Sequence, residues 1–167
     1  MSFSLREFQS ADAAAVNEVA LAAFDELRHH YNDWPTFSRN IGNMASLAQT
    51  GELIVATIQE KVAGAVTYVG PGKKKREFFP IEWPILRMLV VAPAHRGLGI
   101  GRALTEECIR RAKRDGAPLI ALHTTPIMKV ALPMYERMGF KYQHEAPSIF
   151  GVSYGIYVKE LSGQVDR

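Results

Sequence analysis

Polar and apolar residues alternate at the start of the chain and then recur at helical spacing, which predicts a strand followed by a helix. The strand covers residues 3–8. The helix has Ser10 or Asp12 as its N-cap and runs to about residue 27. Its apolar face carries Val16, Val19, Ala20 and Ala23.

The middle of the chain combines loops, a helix and two adjacent strands. Polar and aromatic residues at 28–35 predict a loop, and a second helix follows over residues 36–49. Two apolar runs at residues 53–58 and 62–69, joined by a short polar turn, predict a β-hairpin. A lysine-rich loop over residues 70–80 comes next.

The second half of the chain alternates strands with helices. A strongly amphipathic helix covers residues 100–114, and Thr125 followed by Pro126 is typical of the start of another, which Gly139 ends. Strands are predicted at residues 85–91, 119–122, 140–144 and 153–161. This order of elements predicts a mixed α/β sheet.

Composition supports one globular domain, predicted over residues 1–167, because 47% of the residues are hydrophobic and 22% are charged. Cys108 is the only cysteine, which excludes an intrachain disulfide and favours a reducing, cytoplasmic location. The sequence shows neither a signal peptide nor a long apolar stretch, so we expect no secretion and no membrane span. The net charge of +3 suits an anionic ligand but is too small to indicate nucleic-acid binding.

Between the strand at 85–91 and the helix that follows lie three glycines at alternate positions, Gly97, Gly99 and Gly101. Glycine permits positive φ and a close approach of the backbone to a ligand, because it has no Cβ. The first N–H groups of a helix lack intrahelical partners and carry partial positive charge, so this turn predicts an anion site, most often for phosphate. Arg96 and Arg102 add positive charge beside it.

Spacing excludes two better-known phosphate loops. A dinucleotide-binding fingerprint needs a third glycine where Arg102 or Leu104 stands, and a Walker loop needs Gly-Lys followed by Ser or Thr, which the chain lacks. The segment R-x-x-G-x-G at residues 96–101 instead resembles the acyl-CoA pyrophosphate loop of the GNAT superfamily of N-acyltransferases. A second segment, A-x-x-x-Y-x-x-x-G-F at residues 131–140, is similar to another motif of that family and follows in the family's order.

The resemblance, over about residues 4–161, implies a mixed, mostly antiparallel sheet with helices on both faces, splayed between its fourth and fifth strands. It also implies an acetyl-CoA-dependent N-acetyltransferase that uses acetyl-CoA as acyl-donor cosubstrate and no metal. Backbone N–H groups of the glycine turn would bind the pyrophosphate, and main-chain groups near Leu89 and Val91 would pair with the pantetheine arm. The cofactor-binding residues that it implies are Leu89, Val91, Arg96, Gly97, Leu98, Gly99, Ile100, Gly101, Arg102 and Ala131.

Tyr135 is the candidate catalytic acid. A phenol with a pKa of about 10 stays protonated at neutral pH, so it can donate a proton to the departing thiolate. Members of the family commonly use a tyrosine at the matching position, although the residue could also be a core aromatic. Pro133, two positions earlier, removes a helical hydrogen bond and is expected to kink the helix.

The general base is left open by the sequence. Ile85 stands where many relatives carry a glutamate on the fourth strand, and Met128 replaces a common asparagine. Glu82, before that strand, and His123, at the end of the fifth, could each accept a proton from the substrate ammonium, as could water. An unperturbed histidine pKa of about 6.5 suits this role.

The acceptor is expected to be a small molecule with a primary amine. Glu26, Tyr31 and Trp34 could hold a cation by charge and by ring face. Arg87 on the adjoining strand, and Phe150 and Tyr154 on the C-terminal hairpin, are expected to complete the site. Loop packing is the alternative for this group. A polyamine, an aminoglycoside, an amino acid and a protein N-terminus all stay open as acceptors, and so does a homodimer.

Two other functions stay open. A non-catalytic acyl-CoA sensor would keep the glycine turn and lack turnover, although the retained Tyr135 argues against it. The basic run at residues 73–76 could be a solvated loop, could attract an acidic substrate or the 3′-phosphate of CoA, or could bind nucleic acid.

Overall fold

The computed structural model describes residues 2–161, so the two ends of the predicted domain, Met1 and residues 162–167, lie outside the described residues. Within that range the strands are β1 Ser4–Glu7, β2 Glu52–Ile58, β3 Lys61–Val69, β4 Ile85–Val91, β5 Leu119–Thr124, β6 Lys141–Ile149 and β7 Val152–Glu160. The α-helices there are α1 Ala13–Asp25, α2 Trp34–Ile41, α3 Ile100–Arg114 and α4 Ala131–Arg137. Each helix falls short of the length and apolar character that a membrane crossing requires.

The strands form one sheet in the order β1-β2-β3-β4-β5-β7-β6. All neighbouring strands are antiparallel except β4 and β5, which run parallel. Within the described residues these two strands are in register only at Ile85 and Ala121, so they diverge towards the end of β4. The sheet is therefore mixed, mostly antiparallel and splayed between its fourth and fifth strands, which confirms the predicted fold class.

Helices cover both faces of the sheet, and the side chains of β2 show why. Ile54 belongs to the core cluster that contains Leu104 of α3, whereas the next residue, Val55, belongs to the cluster that contains Val16 of α1. Successive side chains of a strand point to opposite faces, so an unbroken apolar run such as β2 predicts a strand covered on both sides.

A buried arginine fixes the C-terminal half of α3 to the edge of the sheet. Arg111 is 6% exposed and forms ion pairs with Glu7 of β1, with Glu52 of β2 at 2.7 Å and with Glu107 of its own helix at 2.8 Å. A charge is tolerated in such a place when partners surround it. This cluster therefore holds α3 against β1 and β2.

The second predicted helix, residues 36–49, is wrong at both ends. Helix α2 begins at Trp34, because Asp33 caps it by accepting the Thr36 N–H at 3.3 Å. It ends at Ile41, before Gly42, and a separate 3₁₀ helix, Met44–Gln49, follows. Apolar residues recur at helical spacing on both sides of Gly42, whereas the α-helix ends before it.

The last predicted helix begins later than residue 125. Thr125 starts a turn in which its carbonyl accepts the Met128 N–H at 3.0 Å, and α4 begins only at Ala131. Pro133 is thus the third residue of α4. Leu132 and Met134 donate to the carbonyl groups of Met128 and Val130, so Pro133 omits the bond to Lys129 in the first turn, where a proline is tolerated. The kink stays a prediction.

Candidate active site

A cavity of about 540 Å³ opens where β4 ends and α3 begins, and we call it the glycine-turn cavity. Side chains from the end of α1 and the start of α4 complete its walls. Among the predicted cofactor-binding residues, those that line it are Leu89, Val91, Arg96, Gly97, Gly99, Ile100, Gly101, Arg102 and Ala131. Leu98 does not line it and is 39% exposed.

The backbone of the glycine turn has the conformation that an anion site needs. Gly97 and Gly99 have φ values of 83° and 90°, and Gly99 is the N-cap of α3. A Cβ at either glycine would meet no atom within 4 Å, so the requirement for glycine comes from the positive φ and not from crowding. The first N–H groups of α3 have no acceptor in the helix and are available to a phosphate.

Charged side chains around this turn suit a pyrophosphate. Arg96 forms an ion pair with Glu26, the C-cap residue of α1, and Arg102 pairs with Glu106 at 3.0 Å. Lys129 and Arg137 also line the cavity. The turn, the helix start and these cations together suit an anion with more than one negative charge. Across residues 2–161 no group of three or more His, Cys, Asp or Glu side chains is arranged to hold a metal ion.

A second cavity of about 450 Å³ lies on the other side of Leu89, and we call it the arginine cavity. It is lined from β4, from the end of β5, from α2 and the 3₁₀ helix after it, and from the β6–β7 turn. Both cavities are lined by Phe24, Leu89, Met128 and Ala131, so they adjoin. Three arginines line the second one: Arg39, Arg76 and Arg87.

Tyr135 lies where a proton donor between the two cavities would be expected. It follows Ala131, which lines both cavities, by one helical turn, and it lines the arginine cavity itself. Its side chain is 5% exposed, and burial raises the pKa of the phenol, which therefore stays protonated at neutral pH. Among the described residues no hydrogen bond engages its hydroxyl group. The geometry suits the predicted acid.

Of the two candidate bases, His123 lines a cavity and Glu82 does not. His123 lines the arginine cavity between the rings of Phe78 and Tyr154, each 5.2 Å away between centroids. Burial, with the charges of Arg76 and Arg87, lowers the pKa of His123 to about 4, well below the expected 6.5. Glu82 is exposed in the loop before β4 and lines neither cavity.

The three residues predicted to hold a cation do not surround one opening. Glu26 lies in the glycine-turn cavity, paired with Arg96. Tyr31 is buried, and its hydroxyl shares a 2.6 Å hydrogen bond with the hydroxyl of Tyr154. The Trp34 ring lies 5.7 Å from the guanidinium of Arg28, outside both cavities.

Arg87, Phe150 and Tyr154 are the predicted acceptor-binding residues that line the arginine cavity. Arg76 was predicted only as part of the basic run, with an acidic substrate as one of its possible ligands, and Arg39 was missed. Arg76 reaches the cavity because the basic loop folds back. Lys75 Nζ donates hydrogen bonds to the carbonyl groups of Gly70, Lys73 and Ile81 at 3.1, 2.6 and 2.8 Å. The signal in the sequence was the pair Phe78-Phe79 directly after the basic run, because such residues favour contact with the body of the protein. No comparable signal marks Arg39.

Comparison with known proteins assigns most of the chain to one family. The model of the acetyltransferase (GNAT) family matches residues 14–140. The chain is 30% identical over 97 residues to a Mus musculus protein named Probable N-acetyltransferase family 8 member 5, covering 57% of this chain and 37% of that protein. It is 23% identical over 153 residues to the L-methionine sulfoximine/L-methionine sulfone acetyltransferase of Salmonella typhimurium, covering 91% and 87%.

Solved structures share the fold. The structure of yncA from Salmonella typhimurium with its cofactor acetyl-CoA superposes with a TM-score of 0.72, at 18% identity, over 99% of this chain and 98% of that one. At such low identity the likeness shows the fold alone, because one fold hosts many functions.

Proposed function

The chain belongs to the acetyltransferase (GNAT) family, and we propose that it transfers an acetyl group from acetyl-CoA directly to a primary amine of a small molecule. The observation that carries the proposal is the meeting of two cavities at Ala131. One begins at the positive-φ glycine turn, and the other contains the Tyr135 phenol. This arrangement would bring a donor and an acceptor together beside a protonated side chain.

The donor would be held mainly by main-chain groups. The N–H groups of residues 97–102 bind the pyrophosphate, and Arg96 and Arg102 add charge. Main-chain groups of Leu89 and Val91 pair with the pantetheine arm, which takes the place that β5 leaves as it diverges from β4. The structure of yncA, which has the same fold, contains its cofactor acetyl-CoA, and this supports acetyl-CoA as the donor.

Acetyl-CoA supplies the acetyl group as a thioester, whose carbonyl carbon bonds to the amine nitrogen as its bond to sulfur breaks. Tyr135 gives its proton to the departing sulfur, and the proton that the nitrogen loses on becoming an amide returns through water to the phenolate, so free CoA thiol and the acetylated amine leave a restored phenol. We assign removal of the ammonium proton to water, because His123 at a pKa of about 4 is a weak base and none of the residues found to line the arginine cavity is Asp or Glu. Cys108 is fully buried and burial raises the pKa of its thiol, so a covalent acyl carrier there is disfavoured.

The acceptor class is supported by the size of the arginine cavity, about 450 Å³, which suits a small molecule. The Salmonella typhimurium relative is named for its action on methionine sulfoximine and methionine sulfone, which are also small amines. A single domain over residues 1–167, a cytoplasmic location and a homodimer stay predictions.

Release of free CoA thiol from acetyl-CoA, measured with a panel of primary amines and without amine, tests the proposal. We expect amine-dependent thiol release together with the acetylated amine in the mass spectrum. Thermal denaturation with CoA provides a separate measure of binding, because a ligand that binds only the folded state raises its stability. If CoA stabilises the protein but no amine in the panel causes thiol release from acetyl-CoA, the result would instead indicate the acyl-CoA sensor.

A further inference from the structure

We propose that the acceptor amine also carries a carboxylate, as an amino acid does, and that Arg87, with Arg76 and Arg39, binds that carboxylate in the arginine cavity. This inference rests on the proposed function in one respect, which is that the group that reacts is an amine. It does not rest on that function for the binding of the carboxylate.

Arg87 is the first observation, because its guanidinium is partly buried without a partner. Within residues 2–161 it takes part in no ion pair and no hydrogen bond, and burial together with the charge of Arg76 lowers its pKa. Arg111 is the instructive contrast, since that buried guanidinium has three carboxylates around it. Withdrawing a cation from water is costly unless an anion or hydrogen bonds compensate, so Arg87 lacks the partner that Arg111 has.

The second observation is that two of the cationic side chains act on the same part of the cavity. The charges of Arg76 and Arg87 both lower the pKa of His123 on the cavity wall. The Arg76 guanidinium is held over the Phe78 ring at 5.3 Å, and Arg39, which donates to the Thr36 hydroxyl at 3.2 Å, lines the cavity from α2. The planar fork of a guanidinium matches a carboxylate with two parallel hydrogen bonds.

The third observation is the absence of counter-charge. None of the residues found to line this cavity, within the described part of the chain, is Asp or Glu. A polyamine or an aminoglycoside would bring further positive charges to three arginines and would be repelled. An amino acid brings one negative charge, and because three guanidinium groups outnumber one carboxylate, the cavity would still favour the neutral amine over the ammonium.

Matched acceptors provide the experiment. Each of the common amino acids is compared with its carboxamide and with the amine that lacks the carboxyl group, and spermidine is included as a polycation. Thiol release from acetyl-CoA gives kcat and KM, and calorimetry with the CoA-loaded protein gives binding without turnover. We expect at least one amino acid to be preferred over its carboxamide by about tenfold or more in kcat/KM.

Arg87→Gln then tests the residue. Loss of a charged hydrogen-bond partner should raise KM for the preferred amino acid about tenfold to a hundredfold, with kcat within about threefold and KM for the carboxamide little changed. Arg110→Gln is the matched control, because Arg110 is an exposed arginine of α3 outside both cavities and the variant loses the same charge. Unchanged stabilisation by CoA shows that each variant is folded.

The outcomes separate the two proposals. Preference for the carboxamide or for spermidine, or an equal effect of Arg87→Gln on all acceptors, overturns the carboxylate site and leaves the acetyltransferase intact. Binding of an amino acid that depends on Arg87, without transfer to any amine, supports the carboxylate site and overturns the proposed function. If no amino acid binds and none reacts, the carboxylate site is wrong.

Discussion

The two cavities that meet at Ala131 are built in different ways. The proposed anion site of the glycine-turn cavity consists of the main chain of consecutive residues 96–102, and Arg96 already has a counter-charge in Glu26. The arginine cavity takes its charge from side chains that α2, a loop and β4 bring together, and its lining within residues 2–161 includes no carboxylate. A main-chain site is lost when the backbone changes, whereas a side-chain site can change its specificity through one substitution and keep the fold.

Gly99→Glu should have the largest effect, because it alters the main-chain site itself. The substitution places a side chain with a negative charge at a φ of 90° and beside the phosphate position. CoA at a hundredfold excess over its dissociation constant should stabilise the parent protein by about 2.7 kcal/mol. Thermal denaturation with and without CoA should show that the variant has lost this stabilisation.

Gly116→Glu is the matched control for that substitution. Gly116 follows the other end of α3, has a φ of 73° and, like Gly99, has open space around a built Cβ. The control therefore adds the same charge at a similar backbone strain, and its response to CoA should be kept. A folded Gly99→Glu protein that responds to CoA as the parent does would refute the main-chain site.

Tyr135→Phe should have the next largest effect, on the rate alone. The ring stays and keeps its edge-on contact with Phe140 at 5.7 Å, so stabilisation by CoA should survive. Turnover should fall roughly a hundredfold, because the departing thiolate loses its proton donor. Tyr157→Phe removes a phenol that is also buried but lies outside both cavities, and it should leave turnover unchanged.

Steady-state turnover and CoA binding, measured on one preparation, decide the role of Tyr135. If transfer is rate-limiting and turnover stays within about threefold of the parent, Tyr135 is a packing residue.

His123 reports the charge of the arginine cavity through the pH dependence of stability. Well above pH 6.5 the imidazole is neutral in both the folded and the unfolded chain. As the pH falls from 6.5 to about 4, the unfolded chain binds the proton first, so the free energy of unfolding decreases. The slope cannot exceed about 1.4 kcal/mol per pH unit for this group, and it vanishes below pH 4.

Denaturant unfolding of the parent and of His123→Gln across this range should therefore give stabilities that diverge as the pH falls, with the parent losing more. Arg76→Gln should reduce the loss, since the charge of Arg76 contributes to the low pKa of His123. Parallel pH profiles for the parent and His123→Gln would show that the cavity does not hold His123 neutral.

Glu26→Gln should have the smallest effect. It tests most directly the difference between the two cavities, because it removes the carboxylate that is paired with Arg96 in one of them. Freed of its partner, Arg96 should bind CoA about two- to fivefold more tightly, because an exposed ion pair contributes up to about 1 kcal/mol. Calorimetry at low and high salt measures this gain, which salt should reduce. Glu18→Gln, an exposed carboxylate of α1 outside both cavities, should change nothing. A raised acceptor KM with unchanged CoA affinity would instead restore Glu26 to the acceptor site.

The same contrast explains what could be predicted from the sequence. The strand at 85–91, the glycine turn and the helix after it are set by consecutive residues, and the structure has them at the predicted positions. The pairing of Glu26 with Arg96 and the arrival of Arg76 in a cavity depend on how distant segments pack. The helix predicted to start at Thr125 begins later, because a threonine before a proline is equally suited to a turn.

Helix α3 connects the glycine turn at its start with the ion pairs of Arg111 near its end. Because Arg111 holds the helix against β1 and β2, the folding of the sheet edge sets the position of the turn before any ligand arrives. A preorganised receptor loses little conformational entropy when its ligand binds. The affinity of the proposed phosphate site would then depend partly on residues at the opposite end of the helix, which lie outside both cavities.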